Sequence, residues 1–214
     1  MSDSISKREA ARRLIEASID LFFDAKDSLV VFNLAYSAFK VLYDLYPHHQ
    51  EDDFAKQIDA ALGKKGWQHM SGTANFLKHA NKDPQDVLEH HQPFQSMVIL
   101  VLAVIMYRRT FGESSVKMMA FDYWSDELVH DEIGIREVDE NLRRAELSRN
   151  LRKQIQELPF EQQIIAGKAL YEQFIEHYES VRAAVELGQE KGLTITEIID
   201  QQEEIHRQNQ NRPD

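Results

Sequence analysis

Apolar residues recur three or four positions apart along most of this chain, and nowhere is there a sustained alternation of apolar and polar residues. That spacing puts one apolar stripe on a helix and excludes a sheet, so the chain must fold by packing helices on helices. Only 8 Gly and 5 Pro punctuate its 214 residues, which favours long helices. Ser6-Lys7-Arg8-Glu9 has the spacing of a capping box, and Ala11, Leu14, Ile15, Ile19, Leu21 and Phe22 follow at helical intervals. The polar stretch 24–28 predicts a turn, and a second helix over 28–46 stops at Pro47, so the two should form an antiparallel hairpin.

A shorter helix is predicted over 51–62, halted by Gly63-Lys64-Lys65-Gly66, and another over 67–80, interrupted by Gly72. Asp83-Pro84 has the form of an N-cap followed by a first-turn proline, and Pro93 opens an apolar helix that ends near Gly112. A further helix spans 115–131. In the last third, Val138, Leu142, Ala145, Leu151, Ile155 and Leu158 mark one helical face ahead of Pro159. Beyond it Phe160, Ile164, Gly167, Tyr171, Phe174, Tyr178, Val181 and Val185 step by four and three, the 3.5-residue period that keeps a seam against a partner helix. The segment from Gly188 to Gly192 should break this helix, and Thr194 with Glu197 caps a final one. The expected fold is all-α, an N-terminal helical bundle (1–134) with a C-terminal long helical hairpin and terminal helix (135–214).

Composition narrows the function classes. The formal net charge of −11 disfavours phosphate backbones as partners, so RNA is not the favoured ligand. No cysteine is present, which excludes disulfides and thiolate metal sites and fits a cytoplasmic protein. The first residues, MSDSISKREAARR, hold no apolar signal core. The most apolar run, Met97 to Tyr107, falls short of the roughly 20 residues that a membrane span requires, so a core helix and no membrane are expected.

The most distinctive motif is Asn75-Phe76-Leu77-Lys78-His79-Ala80 followed by Asp83-Pro84. It resembles a motif in a group of bacterial all-helical proteins that have no assigned activity, and the resemblance extends over roughly residues 7–130, the opening hairpin included. More distantly, the segment resembles HEPN domains, helical bundles of toxin–antitoxin and defence systems. Their nuclease members place an Arg, a polar residue such as Asn, three further residues and a His in a dimeric RNA-cleaving site. That resemblance makes Asn75, Lys78 and His79 candidate catalytic residues, with Ala74 standing where the Arg belongs and Lys78 or Lys64 as a substitute cation lacking the planar fork of Arg. The alternative is a structural segment in which Asn75 and His79 cap backbone groups near the Asp83-Pro84 turn.

A second group comprises Asp122, Asp126, Glu127, His130, Asp131 and Glu132, with no basic residue between Lys117 and Arg136. Glu127, His130 and Asp131 share a helical face and are candidate metal ligands, although the paired Glu-x-x-His of di-iron bundles is not completed. A solvated acidic face, or a docking face for a basic protein partner, needs no metal. The adjacent pairs His48-His49 and His90-His91 point to different sides of a helix and seldom chelate one ion. No phosphate loop, nucleophile elbow or His-Glu-x-x-His is present, and no cofactor is expected. These features favour a non-catalytic interaction or regulatory module, homodimeric through the 160–185 seam.

Overall fold

The computed structural model describes residues 4–79, 81, 84–88, 91–133 and 155–190, and six α-helices and a short 3-10 turn lie among them. They are α1 (Lys7–Phe23), α2 (Ser28–Leu45), the 3-10 turn (Tyr46–His48), α3 (Phe54–Lys78), α4 (Pro93–Phe111), α5 (Val116–Ile133) and α6 (Phe160–Glu190). All the described secondary structure is helical, as the period required.

α4 is the centre of the fold. It is apolar on every side, and its residues from Ile99 to Tyr107 are all buried, the mark of a helix enclosed by others. Pro93 occupies its first turn, Gln92 and Gln95 cap each other reciprocally, and Gly112 closes it in the left-handed conformation at φ 70°. By length and composition α4 and the segment Ser28–His48 are each sufficient to cross a membrane. The run of 11 apolar residues thus understates α4, which is 19 residues long, and its burial among helices, rather than its length, makes it a core helix.

α1 and α2 form the expected hairpin, with Ser18 donating to the carbonyl of Val31 at 3.0 Å inside the interface. At the end of α1 the N–H of Lys26 reaches the carbonyl of Leu21 and that of Ala25 reaches Phe22, with Ala25 left-handed at φ 50°. This is a Schellman turn with alanine in place of glycine, at a cost of about 1–2 kcal/mol. Only half of the first capping box forms. Ser6 Oγ accepts from the N–H of Glu9, while the Glu9 carboxylate turns to Arg12 and Arg13, which hold it down at about 2.

α2 and α4 lie side by side in the same direction. Ser96 in the first turn of α4 donates to the Ser28 carbonyl at 2.6 Å, and at the far end Arg109 pairs with Asp52 just beyond α2. The Arg109 guanidinium also covers the Phe54 ring at 4.0 Å, and Tyr46 donates to Asp52 at 2.8 Å.

The first turns of α6 pack on the helices of the N-terminal part of the chain. Gly167 and Tyr171 are buried against α5 and the end of α1, where Phe22, Phe23, Phe121 and Trp124 make an aromatic cluster, and Ile164 on the same helix is buried too. Asp20 ties three helices together, accepting from Lys117 of α5 at 2.6 Å and from the Tyr171 hydroxyl of α6 at 2.9 Å. Burial, reinforced by Asp20, raises the Tyr171 phenol far above its ordinary value. One compact unit extends to Tyr171 and a second begins at Glu172. α6 continues through Gly188 to Glu190, so that glycine does not end it. The predicted helix over 138–158 is described only from Ile155, and the boundary at Gly134, residues 135–154 and the final helix lie outside the described residues.

Candidate functional site

The C-terminal half of α3 carries the Asn75–His79 motif, and Lys78 of that motif reaches across to α2. α3 is two helical segments joined at Gly63, whose φ of 55° and ψ of −174° suit glycine alone. The break predicted at Gly63-Lys64-Lys65-Gly66 is therefore present, at its first residue, while Gly72 sits inside the helix. Asp59 lies before the break and Trp67 after it, and one oxygen of Asp59 accepts both the Trp67 indole N–H at 3.0 Å and the Tyr43 hydroxyl at 2.8 Å. Burial, together with Asp59, raises Tyr43 to about 12. Trp67 packs edge-on against Tyr43 at 5.2 Å and beside Phe39 at 5.9 Å. This clasp fixes the direction in which the second segment leaves the break.

That segment packs through Met70, Thr73 and Ala74, all buried. Asn75 is exposed on the opposite side, Lys78 reaches over the Tyr36 ring with Nζ 5.7 Å from its centroid, and His79 ends the helix, its backbone N–H bonded to the Asn75 carbonyl at 2.9 Å. Asn75 and His79 are thus one helical turn apart at the surface. Among the described residues neither side chain makes a hydrogen bond; Lys82 and Asp83, beside which the side-chain capping network is expected, lie outside the described residues. No helix opens at Pro84 either, because residues 84–88 form a turn and a loop; Asp83 lies outside the described residues. Ala74 is 1% exposed, so the place where the HEPN-like pattern carries Arg faces the core.

His91 and Ser96 were not singled out by spacing, and nothing in the sequence marks them as a pair. His91 Nε2 lies 3.3 Å from Ser96 Oγ, an arrangement that superficially matches a base and its nucleophile. The Ser96 hydroxyl donates instead to the Ser28 carbonyl, and its side chain is buried, so it is a structural brace.

The acidic group on α5 divides. Asp122 faces the bundle and pairs with Arg108, so it belongs to the packing and not to an open acidic surface. Asp126, Glu127, His130 and Asp131 lie on the described helical backbone of α5, which carries Glu127, His130 and Asp131 on one face, but their side chains lie outside the described set. No cluster of three potential metal ligands occurs among the described residues.

No protein-family model, curated protein or solved structure matches the chain.

Proposed function

We propose that this chain is a helical interaction module that acts by binding and self-associates through α6. The observation that carries this reading is the division of the α6 seam. Its 3.5-residue period continues through Tyr171, where the first compact unit ends, and Phe174, Tyr178, Val181 and Val185 extend it along the second. Tyr178 is 40% exposed, an apolar ring on the face that a second copy would cover. Light scattering should find a dimer at about 100 μM protomer, a concentration chosen because assembly follows mass action. Tyr178→Asp should shift it toward monomer while leaving the unfolding of the bundle around α4 unchanged. A wild type that stays monomeric at that concentration rejects the proposal.

The second reading is an RNA-directed protein of the HEPN-like kind, with Asn75, Lys78 and His79 at its site. It is favoured by the exposure of Asn75 one turn from His79. Against it stand the burial of Ala74 and the engagement of Lys78, a cation without a planar fork, with Tyr36. We expect no cleavage of mixed RNA by the wild type, and a stability change within about 0.5 kcal/mol for His79→Ala, since its side chain has no hydrogen bond to lose among the described residues. Cleavage by the wild type that vanishes in His79→Ala would promote this reading over the first. A metal bound through Glu127, His130 and Asp131 is a third proposal, to be tested by calorimetric titration of zinc against His130→Ala.

A further inference from the structure

The chain returns to the bundle at His91, at the meeting point of the first turns of α2 and α4. The imidazole stands edge-on to Phe32, 5.5 Å between centroids at 82°, and Nε2 contacts Ser96 Oγ at 3.3 Å. Because the Ser96 hydrogen is committed to the Ser28 carbonyl, the imidazole must be the donor in that contact, which places its proton on Nε2. Nδ1 then carries a lone pair, and it is buried without a hydrogen-bond partner. A second proton would have to sit there, in a place that offers it no acceptor.

Removal of the ring from water favours the same neutral form. Burial is the largest effect and lowers His91 below the ordinary histidine value; the Ser28 backbone and Asp27, the N-cap of α2, oppose it, and His69 on α3 adds to it. The first turns of α2 and α4 also present the positive ends of their dipoles.

We propose that His91 is an acid-sensitive latch: neutral, it holds the approach to α4 on the first turn of α2, and protonated, it lets that approach lift from Phe32. Phe32 stacks on Tyr36 at 5.8 Å, the ring beneath Lys78, so release also loosens the seat of the α3 tip. The sign follows from linkage. Folding lowers the affinity of His91 for its proton, so the latch is fully closed above the ordinary value of about 6.5 and weakens as pH falls through it toward the lowered value. This device is independent of whether α6 dimerises.

The test uses the full chain, with the imidazole followed by NMR and backbone amide protection, corrected for intrinsic exchange, measured at Phe32 and Met97 between about pH 7.5 and about pH 5.5. Protection at both amides should fall several-fold across that range in the wild type. His91→Gln retains an N–H for Ser96 and cannot titrate, so its protection should be flat. The proposal is overturned if His91 titrates at or above the ordinary histidine value, or if the loss persists in His91→Gln. Should that variant not fold, protection in the wild type that stays flat across the range overturns it equally.

Discussion

Replacing Gly167 with alanine should destabilise the protein by about 1–3 kcal/mol, the range for forcing extra volume into a packed interface. On an exposed helix the same change would stabilise by about 1 kcal/mol, so the expected sign is the reverse of helix propensity. The reason lies across the interface. A β-carbon at Gly167 would enter the space of the Trp124 indole, overlapping Nε1 and Cε2. Trp124 has little room to withdraw, for it is 5% exposed and is flanked by Phe22 at 5.5 Å, Phe23 at 5.3 Å and Phe121 at 5.9 Å. Either α6 moves away from α5 or the cluster repacks. Urea unfolding of the variant gives the cost, and the emission of Trp124, measured in a Trp67→Phe background, shows whether the cluster has changed. A variant as stable as the wild type would mean that α6 does not depend on this close approach.

Phe39→Ala should cost more, about 3–5 kcal/mol, the usual price of emptying a buried aromatic site. Phe39 is fully buried on α2 and packs beside both Tyr43 and Trp67. Its loss therefore undermines the clasp at the Gly63 break as well as the core. Asp59 would still accept from Tyr43 and Trp67, but with the ring under Trp67 gone those bonds are open to water and weaker. Two measurements separate these effects. Denaturant unfolding reports the total cost, and the emission of Trp67 below the transition, measured in a Trp124→Phe background, reports whether α3 has loosened while the rest stays folded. Unchanged Trp67 emission in a destabilised variant would show that the clasp holds the second segment of α3 without Phe39.

Much of the candidate site was legible in part. The break at Gly63 was marked by two glycines bracketing two lysines, and the helical spacing of Asn75 and His79 put them one turn apart. The side of the helix on which Ala74 would fall was not legible, because a small residue sits equally well in a core or on a surface. The same holds for Lys78, whose partner Tyr36 is more than forty residues away in sequence. His91 and Ser96 carried no signal as a pair. Their meaning comes from the Ser28 carbonyl, a backbone group that every residue possesses.

By itself the sequence determined that the chain is helical, where α1, α2 and α4 begin and end, and which faces are apolar. Periodicity, caps and prolines act within a few residues, so they can be read locally. Tertiary structure alone decided what covers each apolar face. The seam beginning at Phe160 suited both packing within the chain and a second copy, and its first turns close over Phe23 and Trp124. An apolar stripe states that it must be covered, because burial of its surface drives folding, but the hydrophobic effect has no direction and does not name the partner. Shape names it, and here the absence of a side chain at Gly167 fits one indole on α5.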